Sequence, residues 1–169
     1  MAIGSSAMCG SFKREILAGI HFWTAHTRTG SSEISADTFK IAMFTNSASI
    51  DADTTGYTTS NEVSGTGYSA GGAALASVTL GLADNSSSVP TAFLDFADTT
   101  FSSSTISNAR GALIYNSTLS TAGTGSTTNH AADPAVAVIN FGGNKSSSAG
   151  DFTIQYPAND ANNAIIRIS

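Results

Sequence analysis

The stretch at residues 67–71 reads Gly-Tyr-Ser-Ala-Gly, which matches the Gly-x-Ser-x-Gly pattern around the nucleophilic serine of α/β hydrolases. That chemistry needs a strand before the serine, a helix after it, and an acid and then a histidine later in the chain. Asp95, Asp98 and His130 follow in this order. However, another glycine directly follows the motif and the flanking residues are typical of strands, so the required helix is not expected. A hydrolase that uses Ser69 is therefore the least favoured hypothesis, and we expect no enzyme activity.

Metal-binding residue types are present, but their spacing does not predict a site. His21 and His26 are five residues apart, which does not place them on one face of a helix. No pair of cysteines and no His-Glu-x-x-His motif accompanies them. Asp51 and Asp53 resemble the start of a calcium loop, but the glycine and the terminal glutamate that complete such a loop are missing. We therefore predict no metal and no other cofactor.

The charge and length of the chain exclude several classes of partner. The 169 residues are a natural size for one domain, and the net charge is −5. Nucleic-acid binding would require a basic patch, so no nucleic-acid partner is expected. No stretch approaches the roughly 20 apolar residues that span a bilayer, and the first residues lack a signal-peptide pattern, so no membrane partner is expected. Cys9 is the only cysteine, which rules out a disulfide within the chain.

Charged residues make up 11% of the chain, against about 25% in an ordinary domain. Ser and Thr are abundant instead. This composition has two interpretations, which the sequence leaves open. One is an ordinary β protein with a neutral polar surface. The other is a subunit of a large assembly, because the centres of protein interfaces are depleted in Lys, Glu and Asp.

The N-terminal part, residues 1–36, is predicted to be an arm with a short helix. The helical segment is expected at residues 11–24, with Ser11 as the N-cap, because apolar residues recur at a spacing of three to four. Two roles are open for this helix: it closes one end of a β core, or it docks on a neighbouring subunit. Residues 27–36 are predicted to be a polar linker. The apolar residues on the helical face are Phe12, Ile16, Ile20 and Trp23.

Residues 37–169 are predicted to form an antiparallel β-sandwich resembling a jelly roll, so the fold class is all-β. The clearest strand is Asp37–Asn46, where apolar residues alternate with period two. Phe44 lies on the opposite face from that stripe, which predicts a central strand that is covered on both sides. Ser117–Pro134 is predicted to be a long loop that is either mobile or contact-making. The other expected strands are Tyr57–Val63, Val78–Leu82 after a bend at Gly71-Gly72, Thr91–Ala97, Phe101–Ile106, Arg110–Asn116, Ala135–Phe141, Asp151–Tyr156 and Ala164–Ile168.

Five segments of the chain, most of them predicted strands, carry a resemblance to a known group of proteins: Phe39–Ala48, Asn61–Tyr68, Ala109–Asn116, Ala135–Gly142 and Asn163–Ile168. They resemble a group of small virion proteins of tailed bacteriophages. The resemblance covers most of the chain from Phe12 onward, without any catalytic motif. It implies a non-enzymatic virion structural protein, most like a capsid cement or decoration protein.

A cement protein of this group would lie on the surface of the phage head, after synthesis in the cytoplasm of the host bacterium. The resemblance implies that it bridges and stabilises subunits of the major capsid protein and contacts copies of itself, as a dimer or trimer at the symmetry axes of the capsid. The alternative is a tail or head-fibre component that binds a glycan of the host surface. The residues expected at an interface are Phe12, Ile16, Ile20, Trp23, Leu119 and His130.

Overall fold

The computed structural model describes residues 3–27, 32–124 and 129–169. It confirms an all-β, sandwich-like fold with antiparallel sheets and one short helix in the described part of the chain. The connectivity of a jelly roll stays a prediction. The elements are β1 Ala7–Met8, α1 Gly10–Leu17, β2 Phe39–Thr45, β3 Gly65–Thr66, β4 Ala73–Ala74, β5 Thr79–Asp84, β6 Pro90–Asp95, β7 Thr99–Ile106, β8 Ala109–Asn116, β9 Ala135–Lys145, β10 Gly150–Ile154 and β11 Ile166–Ile168.

The chain forms two compact units. The first comprises Met1–Ala74 and Phe101–Phe152, and the second comprises Leu75–Thr100 and Thr153–Ser169. The first unit contains a five-stranded sheet in the order β1-β9-β8-β2-β4, and the second contains a three-stranded sheet in the order β11-β6-β5. A further sheet has the order β10-β7-β3. The sequence predicts a division between residues 1–36 and 37–169 because a helical segment there gives way to strands. The two units above are defined by their compactness instead, so the predicted division stays a prediction.

Strand β2 lies inside the five-stranded sheet, between β8 and β4. It pairs with β8 along its whole length, with a register shift between Phe44 and Thr45. Ile41 and Met43 are buried on one face, and Ala42 and Phe44 are buried on the other. The expectation that both faces of this strand are covered is therefore confirmed.

Helix α1 is shorter than the sequence predicts, because it ends at Leu17 rather than near residue 24. Gly19 adopts a φ of +66°, and its N–H donates to the carbonyl of Ile16. The N–H of Ile20 donates to the carbonyl of Glu15. These two bonds form a Schellman motif, which closes a helix with a left-handed glycine. The predicted N-cap was also wrong, since Cys9 occupies that position.

The segment Tyr57–Val63 is not the strand that the sequence predicts. Glu62 forms only an isolated bridge with Phe44, and backbone hydrogen bonds of Asn61 and Val63 tie the segment to β2. The bend predicted at Gly71-Gly72 is confirmed, because both glycines have positive φ angles. At Gly72 a side chain is also excluded by space, since a Cβ would lie 1.8 Å from the carbonyl oxygen of Ile41. This close approach brings β4 beside β2.

Candidate functional site

A buried polar network joins the segment after α1 to strand β8. Nε2 of His21 lies 2.8 Å from Oε2 of Glu15, and Nδ1 of His21 lies 3.1 Å from the amide nitrogen of Asn116. The same amide nitrogen donates to Oδ2 of Asp37 at 2.7 Å. The backbone N–H of Phe22 donates to that oxygen as well. Four side chains that are far apart in the sequence therefore share one continuous set of hydrogen bonds.

The network defines the protonation state of His21. Burial lowers the pKa of His21 below its ordinary value, although the hydrogen bond with Glu15 opposes the shift. A neutral ring with its proton on Nε2 donates to Glu15 and accepts from the Asn116 amide at Nδ1. The Asn116 carbonyl oxygen accepts from the N–H of Thr118, which is consistent with this orientation of the amide. The arrangement thus holds the segment after α1 in place through Oε2 of Glu15, whereas the buried Oε1 of Glu15 has no hydrogen-bond partner in the described part of the chain.

The interface residues predicted on the helical face occupy different environments. Phe12 is fully buried, whereas Ile16, Ile20 and Trp23 are half-buried. The ring of Trp23 stacks on Phe39 at a centroid distance of 3.7 Å and meets Phe12 edge-on at 6.0 Å. The structure therefore brings Phe12 and Trp23 together in one aromatic cluster on strand β2. Ile20 and Trp23 lie beyond the end of the helix, so the four residues do not form a single helical stripe.

Leu119 and His130, the other two predicted interface residues, are half-buried in the loop after β8. The carbonyl of Leu119 accepts a hydrogen bond from the N–H of Asp133, and Gly123 pairs with His130 in an isolated bridge. These bonds order the loop on both sides of residues 125–128. Those four residues, and residues 28–31 of the predicted linker, lie outside the described part of the chain. The interface role of all six residues stays a prediction.

The Gly-x-Ser-x-Gly stretch lies in a turn between β3 and β4, without the helix that a nucleophile elbow requires. Ser69 is exposed, and its carbonyl accepts from the N–H of Gly72. Asp95 and Asp98 belong to the second unit, whereas Ser69 and His130 belong to the first. The motif therefore forms a tight turn.

Cys9 is also poorly placed for nucleophilic chemistry. The thiol is buried beside α1, and its Sγ lies 3.9 Å from the carbonyl oxygen of Asp51. Burial, together with the nearby carboxylates of Asp51 and Glu15, raises the pKa of Cys9 to about 12. Because the thiolate is the reactive form of cysteine, this thiol is held in its unreactive state.

A second polar cluster centres on Glu62, which the sequence placed in a strand. One carboxylate oxygen of Glu62 accepts from the hydroxyl of Tyr57 at 2.5 Å, and the other accepts from the hydroxyl of Tyr68 at 2.6 Å and from the N–H of Gly71 at 2.8 Å. The Tyr68 hydroxyl also accepts from the N–H of Met43. Burial and the hydrogen bond to Glu62 raise the pKa of both tyrosines. This cluster anchors the turn at residues 67–72 on strand β2.

One face of the sheet in the second unit is apolar and partly exposed. Residues that pair directly across an antiparallel sheet lie on the same face. The ladder pairs Leu82 with Ala92 and Ala92 with Ile168, so these three residues share one face. Leu82 is 75% exposed and Ile168 is 50% exposed. Leu80, which is 52% exposed, lies on the same face, whereas its partner Leu94 and the Ile166 that pairs with Leu94 are buried there.

Sequence reasoning found β5 as a strand but did not find this exposed face. The alternation of Leu80 and Leu82 with small residues predicts a strand with one apolar side. The low charge of the chain was the one signal of a surface that is available for contact. We call Leu80, Leu82, Ala92 and Ile168 the apolar face.

No group of three or more His, Cys, Asp or Glu side chains in the described part could hold a metal ion. Within the same residues, no helix has the length and apolar character needed to cross a membrane. The chain matches no family model, no curated protein and no solved structure. The candidate site is therefore defined by its own geometry, as the exposed apolar residues Leu80, Leu82, Ala92 and Ile168 of the second unit.

Proposed function

We propose that this chain is a non-enzymatic structural protein of a tailed-phage virion, which acts as a capsid cement or decoration protein. The observation that carries this proposal is the apolar face of the second unit, where Leu82 and Ile168 are exposed on a regular sheet. Contiguous exposed apolar residues are characteristic of surfaces that bind other proteins. The resemblance of the strand segments to small virion proteins gives the class of partner, subunits of the major capsid protein.

The low charge of the chain supports the same role. A contact that buries few charges avoids the large cost of removing ions from water. A capsid shell offers many equivalent sites, and each copy that bridges two subunits adds a small contact. Many modest contacts then act together against the outward load on the shell. A small chain with an apolar face and 11% charged residues suits this kind of bridging.

The alternative proposal is a tail or head-fibre component that binds a host glycan. Among the described residues, the exposed large apolar side chains are all aliphatic. Flat aromatic rings would offer a sugar a stacking surface, whereas aliphatic side chains on a sheet suit contact with protein. The surface therefore favours the cement role over glycan binding.

The proposal is tested by the binding of the purified chain to phage heads that lack it. We expect the wild-type chain to sediment with the heads and Ile168→Lys to bind more weakly, because it puts a charge on the apolar face. Leu17→Lys is the matched control, since Leu17 is 90% exposed on α1 in the other unit. Absence of wild-type binding to heads, together with binding to tails or to glycans, would reject the cement role.

A further inference from the structure

Strand β5 forms an open edge of the three-stranded sheet in the second unit. It pairs with β6 from Thr79 to Asp84 without a register shift. Its other side faces no strand in the described part of the chain. Natural edge strands are protected from pairing with other chains by Lys, Pro, bulges or short length. Over its six residues β5 contains no Lys, no Pro and no bulge.

The hydrogen bonding of the adjoining turn shows which backbone groups point to the open edge. The N–H of Asn85 donates to the carbonyl of Val89, so this pair is hydrogen-bonded across the hairpin. Hydrogen-bonded and non-hydrogen-bonded pairs alternate along an antiparallel ladder. The backbone N–H and C=O groups of residues 79, 81 and 83 therefore form hydrogen bonds with β6. The same groups of Leu80, Leu82 and Asp84 point to the open edge. Asp84 pairs with Pro90, which has no N–H to donate. This is consistent with a non-hydrogen-bonded pair, because such a pair needs no backbone donor from Pro90.

We propose that two copies of this chain associate through their β5 strands, which pair antiparallel about a two-fold axis at Gly81. In this register Leu80 of one copy is opposite Leu82 of the other, and each such pair exchanges two backbone hydrogen bonds. The two three-stranded sheets become one sheet of six strands. The occupant of the open edge is thus a second copy of the same chain.

The side chains and charges of β5 select this register. The four leucines of the two copies meet on the apolar face, and the two glycines meet on the opposite face, where the ring of Phe93 covers Gly81. The only charged residue of β5 is Asp84, which comes opposite Val78 of the second copy. The two Asp84 carboxylates are then about 20 Å apart along the strands, so like charges do not meet.

The contact is small, since one strand edge buries less than the roughly 1,000 Å² of a stable independent interface. It therefore suits a weak dimer that becomes effective when many copies are held close together on a shell. Only the crowding of copies on a shell depends on the proposed function; the pairing of two β5 strands does not. Pairing itself is measured on the purified chain, so its failure would leave the location in the virion untouched.

Disulfide trapping tests the register directly. Thr79 of one copy is opposite Ala83 of the other in a non-hydrogen-bonded pair, where the Cα atoms are about 4.5 Å apart and a disulfide can form. Within one copy the two positions are about 14 Å apart along the strand, which is too far for a disulfide. Both positions are exposed, and Cys9 is buried. The variants are Thr79→Cys/Ala83→Cys and the two single variants.

We expect the double variant to run as a covalent dimer after mild oxidation, whereas each single variant stays largely monomeric. Equal cross-linking of the single and double variants, or no cross-linking of the folded double variant, would overturn the proposal. Sedimentation of the unmodified chain at high concentration gives a second readout. There we expect Leu82→Lys to lose self-association and Leu17→Lys to keep it. The opposite pattern, or a wild-type chain that is monomeric throughout, would also overturn it.

Discussion

The Nε2 atom of His21 lies 2.8 Å from Oε2 of Glu15, and both side chains are almost completely removed from water. Glu15 belongs to the last turns of α1, and His21 follows the helix after the left-handed Gly19. Asn116 links this pair to the end of strand β8. The pair and its neighbours thus hold the N-terminal segment on the first unit, and several measurable properties depend on them.

Asn116→Asp should destabilise the chain strongly. The Asn116 amide donates to His21 and to Asp37, and an aspartate of the same shape offers neither hydrogen while placing a negative charge beside Asp37. We expect a loss of about 1–3 kcal/mol or more in the free energy of unfolding, measured by urea denaturation. Asn144→Asp is the control, because Asn144 is exposed on β9. Equal losses for the two variants would contradict the role of the network.

The stability of the chain should fall as the pH falls through the range of histidine titration. The pKa of His21 is lowered by burial, so the unfolded chain binds a proton more readily than the folded chain. The stabilisation is present above the unfolded value near 6.5 and is lost progressively below it, as far as the lowered folded pKa. Asp37, Glu15 and His130 are the charged or titratable neighbours of the ring.

Urea denaturation at about pH 7.5 and pH 5.5 measures this dependence on pH. His21→Gln removes the titrating group and should flatten the curve, whereas His26→Gln should keep the wild-type slope. A wild-type chain that gains stability on acidification, or a His26→Gln variant that flattens the curve equally, would show that another group dominates.

Gly72→Ala should be far more damaging than Gly142→Ala, although both glycines have φ angles near +70°. At Gly142 a Cβ meets nothing within 4 Å, so alanine costs only the left-handed backbone strain of about 1–2 kcal/mol. At Gly72 a Cβ would lie 1.8 Å from the carbonyl oxygen of Ile41, so β4 must move away from β2. We expect this variant to lose more than twice the free energy of the control or to remain unfolded, as circular dichroism during thermal unfolding would show.

Tyr68→Phe should weaken the attachment of the turn at residues 67–72. The lost hydroxyl donates to Glu62 and accepts from the N–H of the buried Met43, so each of these groups loses a partner. We expect a loss of about 1–3 kcal/mol in chemical denaturation. Tyr156→Phe removes a hydroxyl with one neutral contact, at 3.2 Å from Oγ1 of Thr99, and should cost about 0.5–1.5 kcal/mol. A larger loss at Tyr156 than at Tyr68 would contradict the importance of the Glu62 cluster.

The strands with regular alternation were predictable from the sequence, and the polar links between distant residues were not. The alternation at residues 39–45 predicts β2, and the additional Phe44 predicts that its second face is covered. The end of α1 was missed because Gly19 reads equally as a costly residue inside a helix and as its left-handed terminator. Glu62, Tyr57 and Tyr68 meet through side chains, for which the sequence has no periodic signal.

The exposure of the apolar face could not be predicted from the sequence either. The six residues expected at an interface lie in the first unit, whereas the apolar face lies in the second. An alternating run such as Thr79–Asp84 predicts a strand with one apolar side, but it does not say whether that side is covered by the chain itself. Exposure depends on what the rest of the fold places above the sheet, which is a tertiary property.

The most direct measurement of the proposed function is a reconstruction of the purified virion by electron cryo-microscopy, with the chain identified by fitting its sheets. The cement role predicts density for the chain on the outer surface of the head, where it contacts neighbouring subunits of the major capsid protein. It also predicts that the apolar face of Leu80, Leu82, Ala92 and Ile168 is covered by protein. Density for the chain at the tail, or none on the shell, would contradict this role.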